Sequence, residues 1–245
     1  MLKLRPIWKG LPGKFWLWGC VLACLLAGFR IGGMLGPSHL RWLLPVGFIV
    51  MMALPWVFLT GAGRHQIGLA WPVSRATYVS GLMLGIGSAF GCFVIGWVLF
   101  GKSSDNWFVS IANNYRQTLD TTGFTSVQLH LVFTLPALFF SPLGEELFFR
   151  GLFQQALEER FSVLPSTVVE CGFFGVVHLC HHGLSRSARG LVFQPLSGFL
   201  WVCLMFGTAF LFATVKKKSN SLAPAIISHA AFNLTMNFLI FSFLW

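Results

Sequence analysis

The stretch SPLGEELFFRG, residues 141–151, places two adjacent carboxylates and one guanidinium between long apolar runs. Asp and Glu together occupy only seven of the 245 positions, and two of these seven stand side by side here. Charged groups in a hydrocarbon environment are costly and persist where they are paired or used, so this stretch is a candidate functional site.

Helical geometry gives the two glutamates different surroundings. Glu146 and Arg150 are four residues apart, so on a helix they share a face and can form an ion pair. Glu145 points about 100° away from Glu146 around the helix axis, so it is not required for this ion pair and is available for another role. An alternative is that both glutamates only neutralise Arg150 and hold a helix bundle together.

The composition predicts an all-α, polytopic transmembrane helix bundle without a soluble domain. The chain is 56% hydrophobic and 10% charged, with a mean hydropathy of +0.74, whereas soluble domains carry about 25% charged residues. The apolar runs approach twenty residues, the length of a membrane-spanning helix. They lack the alternation of apolar and polar positions that barrel strands show.

The runs indicate about seven spans, within a range of six to eight. We divide the chain into residues 1–126, with three spans and an amphipathic connector, and residues 127–245, which carry the polar motifs. In the fourth span we expect Pro142 and Gly144 to bend or interrupt the helix just before the glutamates. The predicted helices are 15–35, 41–62, 77–100, 127–140 continued by 145–160, 165–180, 196–215 and 222–245.

Four expectations concern the segments around the motifs. Arg30 is expected to extend towards the nearer membrane interface. The interleaved G-x-x-x-G spacings at Gly81, Gly85, Gly87 and Gly91 favour close helix contact. Helical spacing of apolar residues within 102–126 predicts an interfacial amphipathic helix. The segment 181–190 is expected to be a polar loop that begins with interfacial histidines.

The positive charge does not indicate a nucleic-acid-binding protein. The net charge is +10, but the seventeen Lys and Arg residues are scattered through the segments between spans. The dense run at 216–218 directly follows an apolar stretch, which is typical of a topology and headgroup signal. With seven spans, eleven of the seventeen fall on the side of the N-terminus, which predicts a cytoplasmic N-terminus.

Two later spans also carry polar groups that need partners. One contains His178 near its end, and the last contains His229 and Asn233, which lie four residues apart on one helix face. A single histidine in a membrane helix is often only a structural hydrogen-bonding group. Because three separate helices bring such groups into apolar surroundings, we expect them to face one shared polar cavity.

The three motifs, in this order, resemble those of the CPBP family of intramembrane proteases. They are E-E-x-x-x-R at 145–150, F-x-x-x-H at 174–178 and H-x-x-x-N at 229–233, and the resemblance covers about residues 127–240. The family, also called Abi, contains CAAX-processing and bacteriocin-processing enzymes. The resemblance implies a multi-pass protein of the bacterial inner (cytoplasmic) membrane that cleaves a membrane-anchored or lipidated protein or peptide within the lipid bilayer. It also implies that Phe149 and Phe174 line the substrate cavity.

The residue types suit peptide hydrolysis. A carboxylate in an apolar cavity can act as a base near neutral pH, and we assign that role to Glu145, with His178 as the second group that holds the water. His229 and Asn233 would donate hydrogen bonds to the developing oxyanion. Glu146 and Arg150 would fix the rotation of the helix, and the resemblance implies the same division of roles.

Three alternatives stay open at this stage. Glu145, His178 and His229 could instead bind zinc, as a site with two histidines and one carboxylate. The chain lacks an H-E-x-x-H helix and Asn233 is a poor zinc ligand, so we favour a glutamic mechanism without a metal or other cofactor. The protein could also be a non-catalytic scaffold or immunity protein. A proton-coupled transporter is the third alternative, although no internal repeat supports it.

Overall fold

The computed structural model describes residues 1–72, 74–119, 121–187 and 190–245. Within these residues, seven helical segments are long and apolar enough to cross a membrane. An all-α membrane bundle without a separate soluble domain is therefore confirmed. The seven segments are Phe15–Leu35, Ser38–Phe58, Ala76–Phe100, Ser126–Leu157, Val163–Cys180, Pro195–Ser219 and Ala223–Phe243.

The helices and strands are numbered in chain order. Short 3₁₀ turns occupy Pro6–Trp8, Ser38–Leu40 and His178–Cys180, and a π-helix occupies Glu146–Phe153. The α-helices are α1 Phe15–Leu35, α2 Leu43–Phe58, α3 Gly61–Gln66, α4 Ala76–Phe100, α5 Trp107–Thr118, α6 Ser126–Glu145, α7 Gln154–Leu157, α8 Val163–Val177, α9 Pro195–Ser219 and α10 Ala223–Phe243.

The fourth span is continuous, and the predicted interruption before the glutamates is wrong. Helix α6 passes through Pro142 and Gly144 and leads directly into the π-helix, which begins at Glu146. Gly144 instead allows α2 to approach closely, because a Cβ atom there would lie 2.8 Å from the carbonyl oxygen of Phe48. The wider π turn begins at the two glutamates, and π turns inside α-helices occur frequently at functional sites.

The glycines of α4 position the helix that carries His229 and Asn233. Gly81 and Gly85 are buried against α10, whereas a Cβ atom on Gly87 or Gly91 would have no neighbouring atom within 4 Å, so these two glycines face away from it. A Cβ atom on Gly85 would lie 2.7 Å from Cβ of Ala231 and would also clash with the backbone of Ser228. The predicted glycine contact is therefore correct for one of the two interleaved spacings.

The amphipathic connector forms α5, as expected, but its apolar face packs on the bundle. Trp107, Phe108 and Ile111 are buried, and Nε1 of Trp107 donates a hydrogen bond to the Cys92 carbonyl at 3.0 Å. At the other end of α5, the Tyr115 hydroxyl donates to Oδ1 of Asn237 at 2.9 Å. Because these contacts fix α5 between α4 and α10, it is an integral part of the bundle.

Part of the predicted polar loop at 181–190 forms paired strands in the described residues. Strands β1 (Leu184–Ser187) and β2 (Gly190–Phe193) pair antiparallel, with Leu184 opposite Phe193. Nη1 of Arg186 donates to the Leu35 carbonyl at 3.1 Å, which links β1 to the end of α1. Arg189, one of the seventeen basic residues in the topology count, lies outside the described residues.

Replacing Gly85 by Ala is expected to separate α4 from α10. Overpacking of this kind costs about 1–3 kcal/mol of stability. The matched control is Gly87→Ala, which adds the same methyl group where there is open space and should be neutral or stabilising by up to about 1 kcal/mol. Thermal unfolding of both variants in detergent tests this expectation, and equal unfolding temperatures would contradict it.

Candidate active site

The three predicted motifs converge at the centre of the bundle. Glu145 ends α6, His178 follows the last residue of α8, and His229 lies in the second turn of α10. All three side chains are buried, and the ring of His178 lies 4.2 Å from that of Phe174, which in turn lies 6.1 Å from the ring of His229. The expectation that separate helices share one polar site agrees with this geometry.

The two oxygens of the Glu145 carboxylate have different surroundings. Oε1 accepts hydrogen bonds from Nη2 of Arg30 at 2.7 Å and from the Ser141 hydroxyl at 3.0 Å. Oε2 has no hydrogen-bond donor among the described residues and faces Nε2 of His178 at 4.0 Å. One oxygen of Glu145 is thus held in place, and the other is available for chemistry.

The hydrogen bonds of His178 determine which of its ring nitrogens carries the proton. Nδ1 lies 2.7 Å from the Phe174 carbonyl oxygen, which can only accept, so Nδ1 carries the hydrogen in the neutral ring. Nε2 therefore presents a lone pair towards Oε2 of Glu145. Two hydrogen-bond acceptors separated by 4.0 Å suit one water molecule that donates one hydrogen to each.

Glu146 pairs with Arg150, as the helical spacing predicts. Oε1 of Glu146 lies 3.3 Å from Nη1 of Arg150, and Nε of Arg150 lies 3.6 Å from Oε1 of Glu170. The three side chains are completely buried, and the guanidinium also stacks on Phe174, with Cζ 4.1 Å from the ring centroid. Arg150 thus joins the π-helix to α8 through Glu170.

His229 and Asn233 make contacts that the sequence did not specify. Nδ1 of His229 lies 2.8 Å from Oε1 of Glu146, so the carboxylate orients the ring and Nε2 is the nitrogen without this contact. Nδ2 of Asn233 donates to the Ala137 carbonyl at 2.9 Å, and its second N–H is not used in that bond. The α10 pair is therefore anchored to the same span that carries both glutamates.

The two phenylalanines assigned to the cavity differ in position. Phe174 lies within the site, between Arg150 and the ring of His178. Phe149 packs edge-on against Phe174, with 5.3 Å between ring centroids, and belongs to the hydrophobic core. Phe149 thus supports Phe174 from the side of the core.

Arg30 is the site residue that the sequence reasoning missed. Its predicted extension towards the membrane interface is wrong, because the side chain is only 6% exposed and pairs with Glu145. The signal was present, since Arg30 is the one charged residue in the apolar run 15–35. A charged residue inside a membrane span requires a partner, and a second buried charge is the usual one.

The histidines at 181 and 182 are not both interfacial. The ring of His181 stacks on that of His178, with centroids 5.3 Å apart, and His182 is buried with its ring edge towards Trp107. Burial, with a contribution from the positive charge of Arg30, lowers the pKa of His181 to about 3. His181 is therefore neutral at pH 7 and adds no charge next to His178.

The sequence assigned Lys216 to a topology and headgroup signal, but its side chain contacts the π-helix and α7 instead. Its ammonium group donates to the Arg150 carbonyl at 2.8 Å and to Oε1 of Gln154 at 3.2 Å. A π-helix changes the hydrogen-bonding partners of the backbone, and Lys216 of α9 supplies a donor to one of its carbonyls. Lys216, the first lysine of the basic run, therefore stabilises the π-helix that carries Glu146 and Arg150.

The zinc alternative requires three side chains of the site to point at one position. The residues in question are Glu145, His178 and His229, and with Nδ1 of His229 held by Glu146 its ring can offer only Nε2 to a metal ion. Among the residues that the structure describes, no group of three His, Cys, Asp or Glu side chains is arranged to hold a metal ion.

The fold and the site define a class of protein: a multi-pass helical membrane protein with a buried site of carboxylate, imidazole and amide groups. Residues 127–235 match the family model described as type II CAAX prenyl endopeptidase Rce1-like. This part of the chain is therefore similar to a family within the CPBP group, and the match indicates a CAAX-type membrane peptidase. Searches of the curated proteins and of the solved structures found no match.

Replacing Arg150 by Met is expected to destabilise the protein strongly. The change leaves two buried carboxylates, Glu146 and Glu170, without their shared cation, and breaking a buried pair in this way costs about 3–5 kcal/mol. Adding Glu170→Gln to Arg150→Met removes one of these charges and should restore part of the loss. Thermal unfolding in detergent measures both effects, and a fully additive loss in the double variant would contradict the shared pairing.

Proposed function

We propose that the protein is an intramembrane endopeptidase of the glutamic type, in which Glu145 activates a water molecule without a metal ion. The observation that carries this proposal is the pair of unbonded acceptors, Oε2 of Glu145 and Nε2 of His178, 4.0 Å apart in a buried site. A metal would bind such acceptors directly and would need a third ligand at the same position, and among the described residues no three His, Cys, Asp or Glu side chains are arranged in this way.

The reaction begins when the water donates one hydrogen to each acceptor. Its oxygen attacks the scissile carbonyl carbon while Glu145 accepts the proton, and a tetrahedral intermediate forms. Glu145 then returns this proton to the nitrogen of the leaving amine, the C–N bond breaks, and a carboxylic acid and an amine are released. Each hydrolysis consumes one water molecule and regenerates the Glu145 carboxylate.

The negative charge that develops on the carbonyl oxygen needs donors. The second N–H of Asn233 is one such donor. In the imidazolium form both ring nitrogens of His229 are donors, Nδ1 to Oε1 of Glu146 at 2.8 Å and Nε2 to the oxyanion. Donors of this type contribute about 3–4 kcal/mol each to transition-state stabilisation.

The substrate class follows from the position of the site among apolar helices. A peptide must reach Glu145 through or along the bilayer, which favours a membrane-anchored or lipidated protein or peptide. The family match supports a CAAX-type substrate, and leader peptides and C-terminal sorting tails have the same membrane association. The scattered basic residues give no reason to propose a nucleic acid partner.

We also propose a bacterial inner membrane location, with the N-terminus in the cytoplasm. Arg30 and Arg150 are buried in the site and thus carry no topology signal. Removing one residue from each side of the predicted count leaves ten basic residues against five, which preserves the excess on the side of the N-terminus.

Glu145→Gln is expected to abolish cleavage while the protein stays folded. The amide keeps an oxygen for Arg30 and Ser141 but cannot accept the proton, so turnover should fall by at least about 10²–10⁴-fold. Purified protein is incubated with membrane-associated tail peptides, and the products are identified by mass spectrometry. The matched control is Glu158→Gln, a partly exposed carboxylate at the end of the same span, and full activity in Glu145→Gln would remove Glu145 from the mechanism.

Treatment with a strong chelator followed by dialysis is expected to leave cleavage unchanged. The water in this mechanism is held by Glu145 and His178 alone, and no step requires a metal ion. Cleavage rates are compared before and after treatment, with and without added zinc. Loss of activity that zinc restores would establish the zinc-dependent version of the same protease.

A further inference from the structure

Arg30 connects the N-terminal region of the chain to the reacting carboxylate. It lies on α1, outside the matched segment 127–235, and is separated from Glu145 by 115 positions in the sequence. Nη2 of Arg30 lies 2.7 Å from Oε1 of Glu145, whereas its Nε and Nη1 have no hydrogen-bond partner among the described residues. The hydrogen bonding of this guanidinium is thus directed at a single oxygen of Glu145.

The contact has a geometric consequence for the other oxygen. With Arg30 and the Ser141 hydroxyl both donating to Oε1, rotation of the carboxylate about its last bond would break two hydrogen bonds. Oε2 is therefore kept in the direction of Nε2 of His178. A carboxylate without these donors could rotate freely, and the two acceptors for the water would no longer be held 4.0 Å apart.

Helix α1 is rigidly supported on either side of Arg30. A Cβ atom on Gly19 would lie 3.1 Å from Cβ of Ala156, so α1 packs tightly on α7. A Cβ atom on Gly33 would lie 2.6 Å from Cγ of Leu44, so the other half of α1 packs closely on α2. Groups that must hold a reacting atom accurately require this kind of support.

We propose that Arg30 is a positioning residue for peptide hydrolysis: together with Ser141 it holds Oε1 of Glu145, so that Oε2 faces the attacking water and His178. This inference rests on the proposed function. It assigns a part in the reaction to the N-terminal helix, which therefore contributes to the active site as well as to the membrane anchor. Arg30 itself contacts neither the water nor the substrate in this arrangement.

The charge and the shape of the Arg30 side chain contribute separately to holding Glu145. Its positive charge compensates the Glu145 carboxylate in an apolar interior, where an unpaired charge is strongly unfavourable. Its planar guanidinium also directs a donor from a fixed plane, which the ammonium group of lysine cannot do. Lysine at position 30 should therefore restore part of the function, and a neutral side chain should restore none.

The first experiment compares Arg30→Gln, Arg30→Lys and Arg41→Gln with the unmodified protein, using a peptide that the protein cleaves. Arg41→Gln is the matched control, because Arg41 is exposed and its donors lie 3.5 Å from carbonyl oxygens at the end of α5. Misplacing a reacting group by about 1 Å can cost about 10²-fold in rate. We therefore expect Arg30→Gln to lower kcat by about 10²-fold with KM nearly unchanged. The kcat of Arg30→Lys should be about tenfold higher than that of Arg30→Gln. Arg41→Gln should have the kcat and KM of the unmodified protein.

Two kinetic results would overturn the inference. One is a kcat of Arg30→Gln within about threefold of the unmodified protein, which is a much smaller change than a lost positioning contact produces. The other is equal activity of Arg30→Lys and Arg30→Gln, since the cation would then have no effect.

If Glu145→Gln is inactive while Arg30→Gln is fully active, the proposed function stands and only the role of Arg30 is disproved. If the unmodified protein cleaves none of the peptides, the proposed function and this inference fall together.

The second experiment needs no substrate and covers the case in which a variant folds poorly. Unfolding temperatures are measured for Arg30→Gln, Glu145→Gln and the double variant. Because each single change leaves the other group buried without its partner, the double variant should be less destabilised than the sum of the two single effects. Additive effects would show that the two side chains do not interact, and the positioning role would be excluded.

Discussion

Ionised side chains inside an apolar helix bundle must be paired, and this constraint organises the centre of the protein. Three carboxylates and two guanidiniums are buried there, with Glu145 held by Arg30, and with Glu146 and Glu170 sharing Arg150. These pairs join α1, the fourth span and α8. Since an unpaired charge at this depth is strongly unfavourable, the ion pairs restrict how the helices can be arranged around the site.

The two neighbouring glutamates differ in their partners. Glu146 uses one oxygen for both Arg150 and His229, so it connects the π-helix to α10 and orients the imidazole. Glu145 uses one oxygen for Arg30 and Ser141 and keeps the other facing His178. The same residue type thus serves as a structural connection at one position and as the proposed base at the next. The change from α-helix to π-helix occurs between them.

The first 126 residues do more than anchor the chain in a membrane. Helix α1 carries Arg30 to Glu145, and α4 sets the position of α10 through Gly81 and Gly85. Helix α5 is bound to α10 through the hydrogen bond between Tyr115 and Asn237. The family match begins at residue 127, yet the contacts that fix its polar groups extend to these earlier helices. The proposed catalytic arrangement therefore depends on the whole bundle.

The sequence by itself determined the features that depend on local order. Apolar runs of membrane-spanning length identified the seven spans, and α1 has the predicted bounds, Phe15–Leu35. The four-residue spacing of Glu146 and Arg150 predicted their ion pair, because helical geometry alone brings them together. Only the tertiary structure decided that Arg30 contacts Glu145, which is 115 positions away in the sequence. It also decided that Gly85 rather than Gly87 contacts α10, and that the fourth span continues as a π-helix. These features depend on how helices rotate and pack against one another, and in a uniformly apolar span the pattern of residues does not mark which face turns inwards.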